Sequence, residues 1–185
     1  LAALAQLAGA FARSPLCARV AAAREVRREE AFAFVLGGAE LLRGFLDVAA
    51  SEHDGCLLIV DFKSDHVAGA AALAAALERD YSLQRLVYAV AGLASGAPFV
   101  EVAHCFLRHP EVLLTTRYGA ADHERLAAEL TARLEPLRQG RFEVSADPNV
   151  ARCGTCPGRA RLCSHAEAMT LREPSGGLDC PGLEC

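Results

Sequence analysis

The chain has 185 residues, of which 52% are hydrophobic, and carries a net charge of −4 with a pI near 5.9. That length is enough for one domain with a real core, and no apolar run is long enough to span a membrane. The acidic balance does not advertise nucleic-acid binding, although local patches count for more than the sum. Eight cysteines are too sparse for a disulfide-built scaffold, and with no secretory signal at the start a reducing, cytoplasmic setting is expected.

In chain order, Leu1 to Arg28 is rich in Ala, Leu and Arg and reads as helix broken near Ser14-Pro15. Arg13, Arg19, Arg24, Arg27 and Arg28 make it the most basic stretch, either a solvated helix face or a phosphate-contacting one. The chain does not begin with Met, and a fragment of something longer is expected. Ala31–Leu36 reads as a strand ending in the turn signal Gly37-Gly38, and Leu41–Val48 as a second strand. After a polar turn over 51–55, Leu57–Lys63 is a third, so the three make an antiparallel meander. His66–Ala94 is helical, Phe99–Leu107 and Val112–Arg117 are strands, and Ala121–Leu137 is an amphipathic helix with Leu126, Leu130 and Leu134 spaced by four. Gly140 is placed to close that helix. The expected class is α/β, a mixed central sheet flanked by helices. The expected domains are a core over 1–145, a Cys-rich segment over 146–170 and a flexible tail over 171–185.

The chemistry gathers at the end of the third strand. Lys63 is the only lysine among 19 Lys and Arg residues, so the chain writes arginine almost wherever it needs a positive charge. A surviving lysine suggests a place where a compact ammonium does what a planar fork cannot, and an exposed Asp61–Lys63 charge pair at a strand end is the plain alternative. Asp61 and Lys63 are two apart and share a strand face. Adjacent strands can bring Asp47 and Asp61 to one edge, and paired carboxylates with few competing ligands suit Mg²⁺ or Mn²⁺. A lysine beside such an ion can orient or deprotonate a water, which is the combination for metal-assisted phosphodiester hydrolysis. Gln84 and Tyr88 are four apart and share a helix face, where a surface hydrogen bond and a core aromatic would also account for them. Glu29 opens the first strand region as a further acid. No phosphate-binding G-x-x-x-x-G-K-[ST] loop and no G-x-S-x-G elbow is present.

Gly44-x-x-Asp47, Asp61-Phe-Lys63-Ser-Asp65 and Gln84-x-x-x-Tyr88 together resemble the PD-(D/E)XK nuclease domain of RecB type, as at the C-terminus of UvrD/AddA-like helicase-nuclease subunits. Arg28-Glu29-Glu30-Ala31-Phe32 is similar to that family's R-E-x-P-F strand, with Ala31 in place of Pro, and the likeness runs from about residue 11 to residue 165. The resemblance implies a restriction-endonuclease-like core and a Mg²⁺-dependent DNA exonuclease acting in double-strand break repair and recombination. Asp47, Asp61 and the main-chain carbonyl of Phe62 would then hold the metal. Lys63 would position the attacking water or stabilise charge. Gln84 and Tyr88 would hold DNA or the catalytic groups, and Glu29 would lie near the metal. Its implied partners are DNA, a helicase motor upstream in the same polypeptide and a second helicase-nuclease subunit, with no membrane. The family also carries a metal-ligating His upstream of the first strand. No His precedes His53 here, so that ligand is expected before residue 1. A nuclease fold that has lost its chemistry and serves as a DNA-binding scaffold, and a stand-alone RecB-like nuclease, are the alternatives.

Cys153, Cys156 and Cys163 form a C-x₂-C-x₆-C segment. Some RecB-type nucleases close a 4Fe-4S cluster with three such cysteines and one far upstream, for which Cys17 is the candidate. His165 could instead complete a Cys₃His zinc site. Thiolates suit both, and reduced thiols in a loop remain the plain alternative.

Overall fold

The structure is a computed structural model and describes residues 2–65, 67, 69–141 and 144–173. His66, expected to open a helix, and most of the expected tail (174–185) lie outside the described residues. Two compact units emerge, residues 1–134 and 135–185.

The first unit is built on a five-stranded sheet in sequence order, β1(Glu25–Leu36), β2(Glu40–Ser51), β3(Cys56–Lys63), β4(Phe99–Phe106) and β5(Leu114–Gly119). All neighbours are antiparallel except β3 and β4, which run parallel. A parallel pair needs a crossover. Two helices supply it, α3(Ala70–Asp80) and α4(Ser82–Ala94), hence a mixed sheet flanked by helices.

The faces are set by alternation along the strands. Leu57 and Ile59 of β3, with Val100 and Val102 of β4, pack against Leu86, Ala89, Val90 and Leu93 of α4. Leu126 and Leu130 of α5(His123–Arg138) join the same core, so the four-residue leucine spacing is spent on this face. On the other face, Leu58, Val60, Ala103 and Cys105 meet Phe11 of α1(Ala2–Ala12) and Leu16 and Val20 of α2(Pro15–Ala21). Burial pushes the Cys56 and Cys105 thiols up to about 11, which keeps both protonated.

Three local expectations are corrected. The first helical stretch ends at Ala21, and Arg27 and Arg28 lie in β1. Its break is a capped restart: Ser14 Oγ accepts from Cys17 N at 3.1 Å and Pro15 fills the first helical turn. Nor is Arg19 on a free basic face. Its guanidinium grips Glu52 and Glu101 at 2.7 Å each, tying α2 to β4 and to the residue that follows β2. Arg19 holds the buried Glu101 carboxyl below its usual range, and burial opposes that only in part. Third, the single helix expected over 66–94 is two helices that meet at Tyr81, and the last strand starts at Leu114 rather than Val112.

Among its described residues the second unit holds the short helices α6(Val150–Cys153) and α7(Glu167–Thr170). Asn149 caps α6 through Arg152 N, and Val150 N donates to Arg172 O. Gly140 has φ 67° just past α5, where its N–H reaches Leu137 O, the expected closing position.

Candidate active site

The site is made where the meander comes apart. β1 and β2 pair over Glu25–Arg28 with Val48–Ser51, and again over Glu30–Leu36 with Glu40–Leu46. Between these stretches Glu29 and Asp47 stand opposite each other outside the ladder, and Glu29 has φ 49°, a left-handed conformation. Such a conformation is costly for a residue with a Cβ and needs surrounding structure to hold it. Its consequence is visible in the faces. Val26 and Val48 pack in the α1/α2 core, while Phe32 and Leu46 pack in the α4 core. Residues two apart normally share a face, so the alternation of both strands inverts at Glu29 and Asp47. Glu29 therefore lies inside β1 rather than at its start, and its side chain is exposed.

Asp47 is also where β2 leaves β3, whose pairing with it stops at Val48 and Val60. The freed amide of Phe62 donates to Asp47 Oδ2 at 2.8 Å instead of to a strand carbonyl. One step on, Asp61 is only 3% exposed. It shares the face of Leu57 and Ile59, so it points toward α4. Tyr81, Gln84 and Tyr88 are spaced by three and four, one stripe along the start of that helix.

From that stripe Gln84 Nε2 donates to Asp61 Oδ1 at 2.9 Å, and Tyr88 Oη donates to the same oxygen at 3.0 Å. Gln84 Nε2 also lies 2.9 Å from the Tyr88 hydroxyl. Gln84 Oε1 accepts from Lys63 Nζ at 2.7 Å, and that nitrogen is 2.7 Å from Asp61 Oδ2. Lys63 Nζ further sits 4.0 Å from the centre of the Tyr81 ring. The Tyr88 hydroxyl is held in its neutral form, mainly by burial and then by the charge and hydrogen bond of Asp61, with a smaller push from Asp47. Phe32 supports Tyr88 edge-on, with ring centres 6.1 Å apart. This explains Gly44 opposite Phe32: a Cβ there would lie 2.8 Å from the Phe32 ring.

Two residues at the site carried no motif. Tyr81 donates from its hydroxyl to Asp65 Oδ2 at 2.9 Å. His104 is the β4 partner of Asp61, is 1% exposed, and has neither ring nitrogen hydrogen-bonded. Burial, helped by the charges of Lys63 and Arg85, lowers its pKa to about 4, so it is neutral near pH 7. A polar residue at an inward phase of the apolar run Val100–Phe106 was the available signal for His104. For Tyr81 it was the third position before Gln84 on the same helix stripe.

The donor set fits a hard divalent cation. Asp61 Oδ2 is buried with no well-aligned hydrogen bond, although the Lys63 ammonium stands beside it. Asp47 lies across the strand gap, and two carboxylates are the usual protein share of a Mg²⁺ shell. Among the described residues no group of three or more His, Cys, Asp or Glu side chains could hold a metal. Cys153, at the end of α6, and Cys163 are half-buried, and Cys156 is exposed. Cys17 lies in α2, in the first unit. His165 Nε2 is 2.9 Å from the Ser145 carbonyl, to which it donates, leaving Nδ1 as its acceptor nitrogen. His53 is in the β2–β3 turn.

The parting strands of a mixed sheet thus carry Asp47, Asp61 and Lys63 beside a helix carrying Gln84 and Tyr88. Residues 2–163 match the PD-(D/E)XK nuclease superfamily, and the chain belongs to it. Among solved structures it is similar to SSO0001, at 12% identity with a TM-score of 0.41, over 82% of this chain and 65% of that one. It is also similar to a protein from Eubacterium rectale provisionally named an exonuclease, at 11% identity with a TM-score of 0.41, over 75% of this chain and 53% of that one. The chain thus spans less than two thirds of the length of either structure. No curated protein matches it.

Proposed function

We propose that this chain is a Mg²⁺-dependent DNA exonuclease domain of a helicase-nuclease that processes double-strand breaks in the cytoplasm. The observation that supports this best is the closed set Asp61–Lys63–Gln84–Tyr88, joined by contacts of 2.7–3.0 Å at the end of a buried strand. A packed core does not need a charged pair with a helix-borne amide and phenol converging on it, whereas phosphodiester hydrolysis needs a fixed carboxylate and a fixed cation. The helicase-nuclease setting rests on the wording of the Gly44–Asp47, Asp61–Asp65 and Gln84–Tyr88 motifs.

In this reading Asp47, Asp61 and the Phe62 carbonyl would hold the ion, which would supply Lewis acidity at the scissile phosphodiester. Gln84 and Tyr88 donate to one Asp61 oxygen and so fix the direction of the other. Lys63, held by Asp61 and Gln84, has an N–H left to orient the attacking water or a phosphate oxygen. Asp47, engaged through one oxygen by the Phe62 amide, keeps the second available.

The test is cleavage of end-labelled linear DNA and of the same DNA as a closed circle. The expected result is Mg²⁺- or Mn²⁺-dependent release of short products from the linear form alone, abolished by Asp61→Asn. Cutting that persists in EDTA, or in Asp61→Asn, would overturn the assignment. Equal cutting of the circle would replace exonuclease by endonuclease.

A further inference from the structure

We propose that Tyr81 is a positioning residue that holds the Lys63 ammonium through its ring face. The proposal deepens the nuclease reading and takes its catalytic meaning from it. A lysine has a flexible four-carbon stem and three N–H donors, so its position must be imposed from outside. Asp61 and Gln84 are two of its holders, but both have other tasks. Asp61 is the carboxylate best placed to take a cation, and the Gln84 amide also ties Asp61 to Tyr88. The third holder is the Tyr81 ring, 4.0 Å from Nζ, where the negative face of an aromatic attracts a cation.

The ring is fixed in its turn. Its hydroxyl donates to Asp65 at 2.9 Å, and burial together with that carboxylate keeps the phenol protonated. Its sides pack on His104 and Phe106, with ring centres 5.9 and 6.2 Å away. Its backbone is the junction of α3 and α4, with Tyr81 N bonded to Leu77 O and Tyr81 O to Arg85 N. His104 is neutral, so the charge nearest the ring face is the ammonium. Lys63 therefore keeps a partner besides Asp61 and Gln84.

The uniqueness of Lys63 makes the contact measurable apart from any activity. The 185-residue chain grown with ¹³C-lysine gives one lysine ε-methylene signal. In metal-free protein that signal is expected upfield of free lysine, with a cross-peak to the Tyr81 ring protons. Tyr81→Phe should keep the upfield position, and Tyr81→Leu should return it to the free-lysine position. In the DNA cleavage assay Tyr81→Leu should lower kcat by roughly two- to thirty-fold, the worth of a partly desolvated cation–π contact. KM should stay within about twofold, and Tyr81→Phe should keep most of kcat. A wild-type signal at the free-lysine position without the cross-peak, or an upfield signal that survives Tyr81→Leu, would overturn the proposal. If Tyr81→Leu does not fold, the wild-type cross-peak and the Tyr81→Phe spectrum decide it. A chain that cuts no DNA under any condition would defeat the nuclease reading, while the spectrum would still decide the contact.

Discussion

Lys63 Nζ occupies a slot bounded by Asp61 Oδ2, Gln84 Oε1 and the Tyr81 ring, and its side chain is 12% exposed. An ammonium fits that slot as a point, whereas a guanidinium is a planar fork that would push Gln84 or the ring aside. Lys63→Arg should therefore lose cleavage almost as completely as Lys63→Ala, by roughly 10²–10⁴-fold if one general acid–base contribution is removed. DNA binding, measured by anisotropy with Ca²⁺ in place of Mg²⁺, should be retained. An arginine variant cutting within a few-fold of wild type would reduce the lysine to a mere positive charge. The juxtaposition behind this prediction was largely legible in the sequence. A spacing of two put Asp61 and Lys63 on one strand face, and a spacing of four put Gln84 and Tyr88 on one helix face. Those periodicities hold wherever the element forms. His104 and Tyr81 each left a positional signal, but their neighbours at the site are set by parallel pairing and by a helix junction, neither of which has a local period.

Elements were legible where a single pattern ruled them and were misread where two competed. Arg24–Glu30 is rich in helix formers, yet Glu25–Leu36 forms a strand because β2 offers it a ladder of eleven paired positions, and tertiary pairing outweighs propensity. The inversion at Glu29 and Asp47 left no trace in composition, since it takes only one left-handed residue. α4 carries the site at its start, and its far end is set by Gly92, where a Cβ would meet Val100 Cγ2 at 2.7 Å and Leu57 at 3.3 Å. Gly92→Ala should gain about 1 kcal/mol of helix propensity and lose about 1–3 kcal/mol to overpacking. The net expectation is a lower urea midpoint, together with weaker cleavage as Gln84 and Tyr88 shift from Asp61. Adding Val100→Ala should make the double variant more stable than the sum of the single effects by about 1 kcal/mol. Strict additivity would mean that α4 does not rest on Val100.

For the molecule as a whole, a net charge of −4 would set it against the polyanionic substrate proposed for it. Many of its arginines are already paired with carboxylates: Arg19, Arg27, Arg79, Arg85, Arg117 and Arg125 all lie within 3.4 Å of an Asp or Glu oxygen. An ion between Asp47 and Asp61 would relieve that repulsion where the phosphate must arrive, which couples metal to substrate more tightly than in a basic protein. The same ion should stabilise the fold, because it binds the native site and finds no such pair in the unfolded chain. With two carboxylates as its protein share, affinity is expected to be weak. At a free Mg²⁺ concentration about ten times Kd, the gain is about 1.4 kcal/mol, which for a chain of this size raises Tm by roughly 3–6 °C. Asp61→Asn should erase that rise. The same variant frees Lys63 from its ion pair, so its metal-free Tm should first be set beside that of wild type. A Mg²⁺-induced rise of equal size in both proteins would place the cation elsewhere on the acidic surface. A rise in wild type alone, absent with Na⁺ at matched ionic strength, would tie the fold, the parting of β2 from β3 and the metal to one pair of carboxylates.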